Sequence, residues 1–462
     1  MKKTSTFFMI LVFVLSAAFN ASADVVINPI PPQDDIKANC ISASDMTAIA
    51  TYFKQFQNLS GKEFCFDNSQ TAYLLAGLQY IRKVQFTEPM VNSPDDLFTG
   101  KFAKDWFGYF TKLVNKIQIE SNCPVGVIAF VYGGFLSDST MHVCPMALTN
   151  SFTALDLASV FLHEARHLDG FPHITCNQGP RSGLRGACDQ KISDAGSYAV
   201  TVETYAQLGQ YGKDIHPAFR AIAQASALIY GEEAFQTKVR INKEESFMAL
   251  TADKKIYKID SGLTKSAELV GETSQLGHIA KSKMGLVLLP EDKNLPMVKF
   301  FASGETQSMS NEYNDSTPVD RANVVDYYFA WTWNARIEKN KVRFFCDKRE
   351  NPTQKSEVAL PAGEAISIIY PEGYTPDKNY AFVTTTMGTV QISCEAGKGK
   401  IVSTQLPLDS DIKRIHKANN VTIALTRSGD ILNLNNQSQR VDLGISNIVD
   451  ISSYTRATFF DK

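Results

Sequence analysis

The chain has 462 residues, 44 % of them hydrophobic and 20 % charged, with a formal net charge of -2. That length exceeds one ordinary hydrophobic core and points to two or three domains. The balanced charge advertises neither a nucleic-acid nor a membrane-surface partner, which would usually demand a basic patch, and none is expected.

In chain order, Lys2 and Lys3 precede an apolar run from Phe7 to Phe19, and Ala21-Ser22-Ala23 forms a small-x-small cleavage site before Asp24. This is the pattern of a secretory signal peptide of bacterial style over residues 1–23. It predicts an exported mature chain in the periplasm, at the cell surface or in the medium. No cysteine follows the cleavage site directly, and no later apolar stretch is long enough to span a membrane.

From residue 24 to about 235 the periodicity is mostly helical. Met46, Ile49, Phe53 and Phe56 recur at helical spacing behind Ser44, a candidate N-cap. The segments 71–83 and 103–118 read the same way. Val125 to Tyr132 and Met141 to Cys144 read as short strands, the second stopped by Pro145. Asn150 or Ser151 then caps a helix with a buried stripe of Leu155, Leu157, Val160, Phe161, Leu162 and Leu168. Further helices are expected over 194–210 and 217–230, giving an α+β layout.

Residues 236–245 are rich in charge, and beyond them the pattern changes. Units of an apolar β run, a polar turn and a second β run begin at Glu245, Lys283, Asp326, Asn379 and Asn420. Their spacing of roughly 40 residues is that of propeller blades. Residues 236–462 are therefore expected to form an all-β, propeller-like domain, with 457–460 completing the first blade. A β-sandwich of hairpins is the competing reading, and the blade count stays open.

An even number of cysteines in an exported chain favours disulfides over thiolate metal sites. There are eight, and their order suggests neighbour pairing: Cys40 with Cys65, Cys123 with Cys144, Cys176 with Cys188, and Cys346 with Cys394. None forms a C-x-x-C.

The stretch FLHEARHLDGFPH places three of the chain's seven histidines within eleven positions. His163 and His167 are one helical turn apart on the same face and can share one ion. Glu164 sits where a carboxylate reaches a water on that ion. Gly170 permits a left-handed turn and Pro172 cannot continue the helix, so His173 can swing back as a third ligand. At this histidine frequency a chance H-E-x-x-H is roughly a one-in-200 event, and the glycine and third histidine make it about a thousandfold rarer.

The full pattern H-E-x-x-H-x-x-G-x-x-H resembles the zinc signature of the metzincins, within the wider zincin metallopeptidases. The resemblance covers those eleven residues. It implies a zincin-like domain over 24–235, one Zn2+ on His163, His167 and His173, and Glu164 as general base on the zinc-bound water. The chain departs from the family in having no methionine between His173 and Met248, so the family's methionine turn is missing. Other zincin branches take an aspartate or glutamate as third ligand, which keeps Asp189, Asp194 and Glu203 open as alternatives. Cys188-Asp189 and Gly196-Ser197-Tyr198 also resemble a pairing found in exported bacterial proteins carrying such a motif. Tyr198 and Tyr205 are candidates for stabilising an oxyanion, with ordinary packing as the rival reading. Asp169 or Asp189 could orient a ligand histidine, and Arg166 is expected in a local ion pair. His142, His216, His278 and His416 read as isolated.

The resemblance implies an exported zinc metallopeptidase acting on a peptide or protein substrate, with a protein partner recognised by the second domain. The rival expectation is an inactive zincin-like surface or periplasmic protein that binds through its propeller. A metal-dependent glycosidase or lipid hydrolase is a third. No glycine loop at a strand–helix junction supports nucleotide chemistry.

Overall fold

This computed structural model describes residues 40–87, 105–123, 127–132, 138–149, 152–177, 185–215, 217–237, 239, 243–273, 275–282, 285–292, 297–300, 306–309, 323–329, 333–348, 351–369, 380–395, 398–404 and 411–457. The signal-like segment, Asn150, Ser151, His216 and residues 458–462 lie outside them. The chain divides into two compact units, the first described up to residue 239 and the second from residue 243. Among the described residues no helix is long and apolar enough to cross a membrane.

The first unit is built from helices α1 (Ala43–Tyr52), α2 (Gln70–Lys83) and α3 (Trp106–Leu113), strands β1 (Lys116–Ile119), β2 (Ala129–Val131) and β3 (Thr140–Val143), then α4 (Ala154–Leu168), α5 (Ser197–Tyr211) and α6 (Pro217–Glu233). Side-chain oxygens cap the first three helices. Ser42 accepts from the Asp45 N–H, Ser69 from Ala72 and Asp105 from Gly108, each satisfying an orphan donor of the first turn. The cap of α1 is therefore Ser42 rather than Ser44, and the helix stops at Phe53, where a short 3-10 turn begins. The single helix expected over 103–118 is instead α3 followed by β1. Val114 takes an extended conformation that ends the helix, and Ile117 is buried on the sheet.

The three strands are ordered β1-β3-β2, with β1 parallel and β2 antiparallel to β3. Ala129, Val131, Met141 and Val143 are buried, and β2 packs on α4. Helices α2, α3 and α5 also pack on α4, so residues 154–167 are buried all round rather than along one stripe. Thr153 and Asp156 cap α4 reciprocally, each side chain bonding the other's backbone N–H. A central helix enclosed in this way holds its side chains in fixed directions.

Among the described residues the second unit consists of five four-stranded antiparallel sheets. Four are consecutive in sequence, with innermost strands Gly277–Ser282, Val324–Phe329, Ala365–Ile369 and Ile412–Ala418. The remaining sheet joins the last strand, Ile448–Ala457, to Lys243–Thr251, Lys255–Asp260 and Glu268–Glu272. Each innermost strand lies beside the next, and the cycle returns to its start. Apolar clusters fill every junction. Trp333 and Phe344 pack with Ile368 and Val383, and Phe247 and Ile451 pack with Ile423 and Leu425 across the junction of the last and first sheets. The described strands thus make a propeller-like ring of five blades. The strand that closes the first blade is 448–457, upstream of the expected 457–460, because its register with Lys243–Thr251 already pairs the full length of that strand.

Where the innermost strands meet, five blades share a buried polar network. Asp450 accepts from the Ile279 N–H, Asp326 from the Ile368 N–H, and the Ser367 hydroxyl donates to the Ile415 carbonyl. The His278 Nδ1 pairs with Asp450, whose other oxygen faces Arg414. The His416 Nδ1 accepts from the Ser453 N–H, and its Nε2 lies 3.2 Å from the Ser367 hydroxyl. His278 and His416, isolated in sequence, thus tie neighbouring blades.

Four disulfides join Cys40 to Cys65, Cys123 to Cys144, Cys176 to Cys188 and Cys346 to Cys394, as neighbour pairing predicts. The last links two adjacent blades. Such a set persists in an oxidising compartment.

Candidate metal centre

Helix α4 delivers His163 and His167 from one face, one turn apart. At its end the Asp169 N–H bonds the Ala165 carbonyl and the Gly170 N–H bonds the His167 carbonyl. Gly170 has φ +94°, a left-handed conformation in which a side chain would be strained. The chain therefore doubles back, and His173 returns to the two helical histidines. The His163 and His173 Nε2 atoms are 3.0 Å apart, and those of His167 and His163 are 3.2 Å apart. Nitrogens around one tetrahedral zinc at ordinary bond lengths would be about 3.3 Å apart.

The other ring nitrogens fix which way each imidazole faces. The His173 Nδ1 is 2.8 Å from Asp189 Oδ1, and the His167 Nδ1 is 2.7 Å from the Phe171 carbonyl. Both partners only accept, so both Nδ1 atoms carry the proton. The His163 Nδ1 is 2.8 Å from the Thr201 hydroxyl, which donates its own proton to the Ser197 carbonyl. That leaves His163 as the donor there as well. All three Nε2 atoms consequently present lone pairs to one another. Burial and the neighbouring His173 hold the His167 imidazole well below its usual basicity. Three inward lone pairs at this separation repel unless a cation lies among them.

The start of α5 supplies most of the partners. Asp189 Oδ2 accepts from the Tyr198 and Ala199 N–H groups at the helix N-terminus. The Ser197 hydroxyl lies 2.9 Å from His167 Nδ1 and donates to the Phe171 carbonyl. The Tyr198 ring stacks on His173 with centroids 4.2 Å apart. Asp189 itself is placed by main-chain bonds to Ala234 and Gln236 and by the adjacent Cys176–Cys188 bond.

Glu164 is wholly buried, and among the described residues neither carboxylate oxygen has a hydrogen-bond partner. Burial raises its pKa well above the ordinary carboxylate range. Other sequence candidates lie elsewhere. Asp189 reaches the trio as the partner of His173 Nδ1, not with an oxygen among the three Nε2 atoms. Asp194 is exposed on a one-turn helix. Glu203 is buried on α5 but does not group with the three histidines. The Tyr205 hydroxyl donates to Asp156 Oδ1 at the far end of α4, and Asp169 pairs with Arg166. Ser197 and Thr201 escaped sequence reasoning, since a lone hydroxyl residue carries no spacing signal. Among the described residues the other group with ligand-like atoms is Cys40, Glu63 and Cys65, but its sulfurs are joined in a disulfide.

No protein-family model matches the sequence, and no curated protein matches it. Solved structures match part of it. Apo AztD from Citrobacter koseri aligns at 14% identity over 46% of this chain and 63% of its own, with a TM-score of 0.23. A protein from Lactobacillus plantarum aligns at 12% identity over 44% of this chain and 83% of its own, with a TM-score of 0.24. Virginiamycin B lyase from Staphylococcus aureus aligns at 10% identity over 46% of this chain and 80% of its own, also at 0.24. At these identities and scores nothing about activity follows.

Proposed function

We propose that the first unit holds one zinc ion on His163, His167 and His173, and that Glu164 beside it serves the hydrolysis of peptide bonds. The convergence of three lone-pair-bearing Nε2 atoms, each ring anchored from behind, is the observation that carries this reading. An all-imidazole donor set suits zinc. When bound, the ion would supply Lewis acidity and lower the pKa of a water.

The chain's own residues would do the remainder. Asp189, Ser197, the Phe171 carbonyl and Thr201 keep the imidazoles oriented. Glu164, buried without a hydrogen-bond partner among the described residues and with raised basicity, is suited to take a proton from water and pass it to the departing amine. Strand β2 is an edge of its sheet among the described residues. Since the Cys144 N–H bonds the Ile128 carbonyl, the main-chain groups of Ala129 and Val131 point away from β3. An extended peptide could add there as a further strand. The disulfides and the signal-like start support export to the periplasm, the cell surface or the medium.

One observation favours a second reading. His163, Glu164, His167 and His173 are only 1%, 0%, 3% and 6% exposed, respectively. An enclosed ion of this kind suits a zincin-like protein in which metal braces the fold and the propeller-like unit binds the partner. The two readings part in one experiment. Zinc is counted per chain in the wild type and in His163→Ala, and a mixed peptide library is then assayed with the wild type, Glu164→Ala and added chelator. Zinc lost in His163→Ala together with Glu164-dependent, chelator-sensitive cleavage supports hydrolysis. Zinc retained by the wild type without such cleavage assigns the chain to the binding reading. Equal metal content in both proteins removes the site.

A further inference from the structure

Arg166 lies between Glu164 and His167 on α4 and is 3% exposed. A guanidinium is buried at considerable cost unless several groups receive it. Its partners come from two segments, the turn 169–171 that follows its own helix and the loop at Ala195. Its Nε donates to the Ala195 carbonyl at 2.6 Å, its NH1 group pairs with Asp169, and its Cζ sits 3.4 Å above the centre of the Phe171 ring. Tyr109 extends the contact by donating to Asp169.

Each of these segments orients a ligand. Phe171 offers its carbonyl to His167 and belongs to the turn that brings back His173. Ala195, in a left-handed conformation with φ 52°, immediately precedes the Gly196–Thr201 stretch that anchors the rings of all three histidines. One side chain therefore spans the helix carrying His163 and His167, the turn carrying His173, and the helix start carrying the hydrogen-bonding groups behind them.

We propose that Arg166 is a positioning residue that sets the three imidazoles for the ion before it arrives. The inference rests on the metal reading above but not on hydrolysis. Its action is geometric, since a planar fork and a stacked cation are what these three contacts need. Lysine keeps the charge beside Asp169 but cannot reproduce the arrangement.

The test compares zinc affinity, by competition with a chromogenic chelator, in full-length wild type, Arg166→Lys, Arg166→Met and Phe171→Leu. The visible spectrum of each Co2+-loaded protein is recorded, as are melting temperatures in excess chelator. Arg166→Lys and Arg166→Met are expected to bind zinc 10- to 100-fold more weakly, in line with other groups that hold ligands in place, and to show an altered cobalt spectrum. Phe171→Leu loses only the stacked ring and should weaken binding about fivefold by the same mechanism; it carries the test if the Arg166 variants do not fold. Wild-type affinity and an unchanged spectrum in a folded variant would overturn the proposal, even if its melting temperature has dropped. A wild type that takes up no stoichiometric zinc overturns the metal reading itself and this inference with it.

Discussion

The carboxylate of Asp189 occupies the space that a side chain on Gly196 would need. A β-carbon there would lie 2.4 Å from Asp189 Oδ2, the oxygen that also caps α5. The other oxygen holds His173, so the absence of a side chain at one position orients a ligand through another residue. Gly196→Ala is expected to push Asp189 off His173 and weaken zinc binding by about tenfold or more. Chelator competition measures this, and since Gly196 has φ -72°, which alanine adopts freely, an effect would come from the clash with Asp189.

Glu164→Gln separates chemistry from binding. If the hydrolytic reading holds, cleavage should fall by a factor on the order of 100 to 10,000 while zinc content stays at the wild-type level. The same change should stabilise the metal-free protein near neutral pH by roughly 1–3 kcal/mol. The sign follows from the raised pKa: folding must keep Glu164 protonated, a cost that grows as pH climbs above the value of the unfolded chain. Denaturant melts in chelator at several pH values would record it, and equal stabilities would contradict it.

The two histidines between the blades should titrate in opposite senses. Burial alone would depress His278, but the Asp450 carboxylate overrides it and raises the pKa. Its contribution is present in full below the unfolded value of about 6.5 and is lost as pH rises through the folded value. Burial lowers His416 to about 4, consistent with the Ser453 N–H donating to its Nδ1. Its contribution is present above about 6.5 and is lost as pH falls toward 4. His278→Gln should therefore destabilise most in acid, and His416→Gln most at neutral pH and above. Unfolding midpoints of the full chain from pH 4 to 9 give both profiles.

Replacing Cys176 and Cys188 together by serine opens a short loop that holds Asp189 near His173. Loss of about 2–3 kcal/mol in unfolding free energy is expected from the closure of a loop this size. Zinc affinity should fall as well, because the paired backbone of Ile174 and Cys188 would lose its covalent tie. Unchanged affinity in the double variant would mean that main-chain bonds alone fix the ligand.

The sequence by itself determined whatever depends on spacing along the chain. Histidines four apart on a helix share a face whatever surrounds them, and a glycine before a proline ends that helix. Cysteines adjacent in order met in space, and recurring hairpins announced a ring of sheets. Tertiary structure alone decided what depends on groups distant in sequence meeting in one place. It turned Asp189 toward the back of His173, set Ser197 and Thr201 behind the other two rings, and joined Arg166 to both the turn 169–171 and Ala195. It also split the helix expected over 103–118, because burial of Ile117 on a sheet outweighed a weak local preference. Local pattern fixes an element and its face, whereas the direction of a hydrogen bond is fixed only when packing brings the second atom within reach.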